Sequence, residues 1–244
     1  MIMKKMIETI LILLVMSNLC IAQERLKLEN IDVTQDQNLS ENESLRNAVY
    51  IFPEFMQGKV FFKNGTTSSA KLNYNTLIGE MQFLDNDENI LSIANPQDVE
   101  FVLIDKKVFC HFSGKTFIQL VLMNENIKLF VKRFTESTEH HAKGAYGQSN
   151  TTSAITNINT TYSFKKNELS VYKELRFNIR DEFYLENNGK FNKINNMKSF
   201  TKIFPQFKNE IIRFAESNKT NFKNEKDVIM LTNYCTQLSL IKNK

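Results

Sequence analysis

The chain has 244 residues, 42% of them hydrophobic and 20 of them Phe, with seven Gly, three Pro and no Trp. That composition supplies a real core and excludes a disordered chain, and so few glycines leave little material for phosphate-cradling loops. The net charge is +4, with residues 190–244 carrying eleven Lys/Arg against four Asp/Glu, so residues 23–189 are net acidic.

At the start, Lys4 and Lys5 precede an apolar run, Ile10–Val15, and Cys20-Ile21-Ala22 follows with small residues at two positions. A positive end, an apolar core and a small-x-small site in that order predict a secretory signal peptide over 1–22, cleaved after Ala22. The apolar core falls short of the roughly 20 residues that a membrane helix needs. Lipidation at Cys20 would need a small residue before it, and Leu19 is not small. The expectation is an exported chain, periplasmic or surface-associated, soluble after cleavage. Nucleic acid is then excluded as a partner.

Residues 23–46 are polar and without apolar period, which predicts a mobile leader. From 47 to 134 the pattern is strand-like. Lys59–Lys63 runs into Asn64-Gly65, a strong hairpin signal, and alternation resumes at Ala70, Leu72 and Tyr74. Glu80–Leu84 and Ile90–Ile93 flank a polar turn, Asp85–Asn89; Val99–Ile104, Val108–Phe112, Phe117–Met123 and Ile127–Phe134 follow. Short strands joined by tight turns predict an antiparallel β-meander, curled into a barrel or sandwich.

Residues 135–163, rich in Gly, Ser, Thr and Asn, read as a long polar loop. Within 164–244, strand candidates lie near Ser170–Phe177, Glu182–Glu186 and Lys190–Ile194. Two or three helices then close the chain: Met197–Phe204, a helix opened by Pro205 with Phe207, Ile211, Phe214 and Ala215 on one face, and a helix capped by Asn224 with Val228, Leu231, Tyr234, Cys235, Leu238 and Ile241 in one stripe. The fold class is α+β: a curved antiparallel sheet followed by a C-terminal helical segment packing on it.

Candidate sites are few. His140-His141, preceded by Glu136 and Glu139, is the one local concentration of metal-type ligands, and a zinc site needs three or four ligands. Asp85-x-Asp87-x-Asn89 begins like a calcium loop, but Ile90 stands where glycine is needed and Pro96 where a glutamate belongs. Cys110 and His111, as strand neighbours, point to opposite faces and cannot pair as nucleophile and base. Cys110 and Cys235 remain after cleavage, so the oxidising compartment allows either one disulfide or two buried thiols. Lys143-Gly144-Ala145-Tyr146-Gly147 sets a tyrosine between glycines, a loop suited to glycan or peptide contact. No catalytic residue and no cofactor is indicated.

The segments Ile51-Phe52-Pro53-Glu54-Phe55, FKNGTTSSAKLNYNTLIGEMQFLD (62–85), KGAYG (143–147), Phe204-Pro205 and Asn221-Phe222-Lys223 resemble an uncharacterised family of exported Bacteroidetes envelope proteins. The resemblance runs over most of the mature chain. It implies an envelope or secreted location and assigns no functional residue.

The expected function is therefore a non-enzymatic envelope protein that binds another protein or a surface polymer. An exported hydrolase acting on glycan or peptide through unidentified acids is the alternative. A weak contact with anionic lipid is expected of Lys198, Lys202, Lys208, Arg213, Lys219 and Lys223.

Overall fold

The computed structural model describes residues 31–32, 43–124, 127–141, 173–187 and 189–242. In chain order these form β1 (Ile31–Asp32), α1 (Glu43–Val49), β2 (Met56–Phe62), β3 (Thr67–Asn75), β4 (Glu80–Leu84), β5 (Ile90–Ser92), β6 (Val99–Ile104), β7 (Lys107–Ser113), β8 (Thr116–Met123), β9 (Ile127–His141), β10 (Lys173–Asn187) and β11 (Lys190–Ile194). Then come α2 (Met197–Ile203), α3 (Lys208–Ser217) and α4 (Glu225–Lys242). The class is α+β, as the sequence predicts.

Every strand pairing is antiparallel, in the order β1-β10-β9-β8-β7-β6-β2-β3-β4-β5, with β11 on β10. Tight turns set this order. Gly65, Gly79, Gly114 and Gly189 all take positive φ at the turns that join neighbouring strands, a conformation that costs glycine little.

The sheet also closes on itself. Glu80 of β4 pairs with Thr116 of β8, so β8, β7, β6, β2, β3 and β4 form a ring of six strands. Lys115 Nζ lies 3.4 Å from Glu80 Oε1 across this seam. The ring interior is filled by Val60, Leu72, Tyr74, Met81, Val102, Ile104, Phe109 and Phe117. Tyr74 stacks on Phe109 at 5.7 Å and donates its hydroxyl to the Phe117 carbonyl at 2.8 Å, which satisfies a polar tip inside an apolar core. Gly58 of β2 sits in the ring wall, where an added Cβ would lie 2.8 Å from both the Leu103 carbonyl oxygen and Leu72 Cδ1.

Beyond the ring, β9 and β10 pair over fifteen residues each. Their shared face carries Ile127, Leu129, Val131, Phe183 and Leu185 and packs against Phe200, Ile211, Val228, Leu231 and Cys235 of the helices. The helices end and begin where capping chemistry demands. Asn196 and Ser199 form a reciprocal capping box on α2, and Asn224 Oδ1 accepts from the Asp227 amide at the start of α4.

Next along that face of β9 comes Arg133. It donates Nε to Asp181 Oδ1 at 2.8 Å, Nη2 to Asp181 Oδ2 at 2.9 Å and Nη2 to Glu225 Oε2 at 2.5 Å. Burial alone would lower its pKa, but the Asp181 hydrogen bonds and the charges of Asp181 and Glu225 outweigh that and raise it. The cluster fastens the first turn of α4 to the sheet. Further on, Thr135 Oγ1 bonds to the Ala48 carbonyl at 2.9 Å and shares a 2.7 Å bond with Thr76 Oγ1.

Three boundaries differ from those expected. The strand that starts at Ile127 runs to His141 rather than ending at Phe134, so the first residues of the expected 135–163 loop are strand. Its polar residues pair through the backbone with β10, and Arg180 and Glu136 meet across that pair at 2.6 Å; neither needs the apolar alternation that marks a strand in sequence. For the same reason the two strand candidates near Ser170–Phe177 and Glu182–Glu186 are one strand. The 23–46 leader is not wholly without structure, since Ile31–Asp32 pairs with β10 and α1 begins at Glu43. Ala48 and Val49 anchor α1 by full burial beside Phe177.

Candidate functional site: the open end of the ring

The ring is closed at one end and splayed at the other. β3 pairs with β2 along Thr67–Leu72, but β4 meets β3 only over Leu72–Asn75. Beyond Leu72 and Phe83 the two strands part. The β2–β3 turn, the β4–β5 turn and residues 93–98 gather around the gap and enclose a cleft of about 980 Å3. Ligands commonly enter β-barrels at such a mouth.

The floor of the cleft is apolar: Val60, Phe62, Ala70, Leu72, Phe83 and Ile93. Its rim is amide, hydroxyl and charge: Asn64, Thr66, Ser68, Ser69, Asn86, Asn95, Lys63, Asp85 and Asp98. One lip is rigid by its own chemistry. Asp85 Oδ1 accepts from the amides of Asp87 at 2.9 Å and Asn89 at 2.8 Å, and its carboxylate also takes the Asn89 side-chain amide. Those bonds, led by the Asn89 side chain, hold the Asp85 carboxyl below the usual carboxylate range. A hairpin turn thus explains Asp85-x-Asp87-x-Asn89 without an ion.

The backbone edges facing the cleft follow from hydrogen bonds elsewhere in the ladder. The Phe62 amide donates to the Thr66 carbonyl, the Ile51 amide to Tyr74 and the Thr76 amide to Val49. Antiparallel strands direct alternate residues to alternate edges. Ser68, Ala70 and Leu72 therefore bond to β2, and Thr67, Ser69 and Lys71 turn their N–H and C=O groups to the opposite edge, where Ser69 borders the cleft. On the opposite wall the Ile93 amide donates to Met81 and the Asp85 amide to Asn89, which leaves the backbone groups of Leu84 facing the cleft from β4.

Of the residues singled out in the sequence, Asp85 lies on the rim of the cleft; the other described ones do not line it. His140 and His141 end β9, in register with Glu174 and Lys173. Lys143, Gly144, Tyr146 and Gly147 lie outside the described residues. Among the described residues, no group of three or more His, Cys, Asp or Glu is placed to hold a metal ion. Cys110 and Cys235 are free thiols, in separate clusters on β7 and α4, and no disulfide joins them. Burial pushes each thiol up to about 12. His111 donates Nε2–H to the Gly114 carbonyl at 2.9 Å and sets its ring edge-on to Phe117. Lys198, Lys202, Lys208, Arg213, Lys219 and Lys223 are all exposed on the helical layer, interleaved with exposed Glu210 and Glu216. No helix among the described residues is long and apolar enough to cross a membrane.

The sequence reading missed the cleft. The usable signal was a mismatch in strand length: β3 spans nine residues and its partner β4 five. No family model matches the chain, and no curated protein or solved structure matches it.

Proposed function

We propose that the chain is an exported envelope protein that binds another protein or a surface polymer in the cleft at the open end of the ring, without catalysing a reaction. The cleft carries this reading: an apolar floor, a rim of amides and hydroxyls, and room for several residues of a chain-like ligand. The chemistry of the carboxylates supports it. Of the two carboxylates that line the cleft, Asp85 is engaged by its own turn and Asp98 is exposed on the rim; away from the cleft, Asp181 and Glu225 are engaged by Arg133. The signal-peptide pattern of residues 1–22 supports the envelope location.

The test compares the native chain with Ala70→Trp, whose indole fills the cleft. Solubilised envelope of the host is passed over each protein. Material retained by the native chain and released by Ala70→Trp supports the reading. Equal retention by both defeats it, as does turnover of glycan or peptide by the native chain that one substitution abolishes. Intact Met1 on cytosolic material would defeat the location.

A further inference from the structure

We infer that the cleft takes an extended polypeptide segment as an added β-strand, seated against the free edge of Thr67–Lys71. This rests on the binding role proposed above and names the ligand class. Three observations carry it.

The first is hydrogen-bonding capacity. Thr67, Ser69 and Lys71 direct their N–H and C=O groups to the edge of β3 that β4 leaves unpaired, and Ser69, at its middle, lines the cleft. An unpaired strand edge is a template for another strand, and main-chain bonds supply most of the affinity in such recognition. The second is the alternation of the cleft wall. Ser68, Ala70 and Leu72 lie on the inner face of β3, with Val60, Phe83 and Ile93 beneath. An incoming strand buries every second side chain there and leaves the others outward. The third is charge. The β4–β5 lip carries Asp85 with exposed Asp87 and Glu88, so it favours a segment with Lys or Arg beside that lip. A glycan would use the Ser and Asn side chains but leave the edge amides of β3 unmatched.

The decisive variants act on residue 69. Its amide does not serve the β2 ladder, so Ser69→Pro removes one edge donor and blocks approach while sparing β2–β3 pairing. Ser69→Ala removes the hydroxyl and keeps the edge. The probe is a display library of random linear peptides of about nine residues, roughly 30 Å when extended, selected on the native full chain. We expect selected peptides to alternate apolar and polar residues and carry Lys or Arg. Ser69→Pro weakens them by more than about tenfold, and Ser69→Ala by less than about twofold. N-methylation of alternate amides in a selected peptide abolishes binding in one register and not the other, a readout that does not depend on the variant's folding.

Equal binding by Ser69→Pro and the native chain overturns strand addition, as does a Ser69→Ala loss as large as that of Ser69→Pro. If Ala70→Trp then blocks a ligand that Ser69→Pro still binds, the cleft reading stands and only strand addition falls. If the native chain binds neither peptide nor envelope material, both fall. Concentration-dependent dimerisation that Ser69→Pro abolishes would assign the edge to a second copy of this chain and overturn a foreign peptide.

Discussion

Along β9 and β10 every residue of one strand is paired with the other, and the face they share lies beneath three helices. At the far end of the same sheet, β3 runs five residues past its last pair with β4, and the edge so exposed borders a cleft. The first region has spent its apolar surface and its backbone groups on itself. The second has kept both available. The contrast separates what holds the molecule together from what it presents to a partner, because stability follows buried apolar area and recognition needs unspent bonding groups.

The largest test of this contrast uses two phenylalanines. Phe183 is fully buried between β10 and the helices, whereas Phe83 is half-buried on the cleft floor. Phe183→Ala should cost about 3–5 kcal/mol in denaturant unfolding. Phe83→Ala should cost only about 1–2 kcal/mol, since less surface is lost from water-free packing, and should act mainly on ligand binding. Comparable losses from the two would show the cleft to be a structural core instead.

Next in size is Arg133→Leu. The side chain is buried, and its loss strands Asp181 and Glu225, whose side chains are 20% and 31% exposed. Uncompensated buried charge typically costs about 3–5 kcal/mol, and the partial exposure of both acids brings the expected loss to about 2–3 kcal/mol. The α4 amides should lose hydrogen-exchange protection first. Unchanged protection in α4 would mean that the helix is held by its apolar stripe alone.

Gly58→Ala tests the ring between these two regions. The new methyl meets the Leu103 carbonyl oxygen, which is backbone and cannot swing aside. Overpacking of this kind costs about 1–3 kcal/mol, and it should loosen the cleft floor through Leu72, with a matching loss of ligand affinity. Wild-type stability and affinity in this variant would mean that the ring wall gives more easily than its spacing indicates.

How much of this was legible in the sequence follows the same division. The covered half wrote itself in apolar periodicity: Phe207, Ile211 and Ala215, then Val228, Leu231 and Cys235, sit in the core that their spacing predicts. So did the hairpins, because Asn64-Gly65 permits a positive φ at Gly65. Thr135–His141 was illegible because its strand is held by backbone pairing and a surface ion pair, neither of which leaves an apolar alternation. The cleft was illegible for a different reason. Each of its strands reads correctly alone, but the gap exists only in how far β3 runs past β4, and pairing register is a relation between segments. His140-His141, conspicuous by composition, falls at a strand end away from that gap.

The smallest effect expected belongs to the Asp85 turn, and pH is the way to see it. Asp85 accepts the Asn89 side-chain amide and two turn amides, and its folded pKa is depressed. A depressed carboxylate contributes stability above its unfolded pKa, near about 4, and loses that contribution as pH falls through the folded value. The melting temperature of the native chain should therefore exceed that of Asp85→Ala by a constant margin at neutral pH, and the margin should shrink below the ordinary carboxylate range. Because the carboxylate is exposed, salt and solvent screen the effect. If strand addition is right, ligand binding should weaken over the same acid window, since the turn positions the lip that meets the incoming strand. A margin that persists undiminished into acid would mean that the turn is held by its backbone geometry, and the lip would then owe nothing to the charge of Asp85.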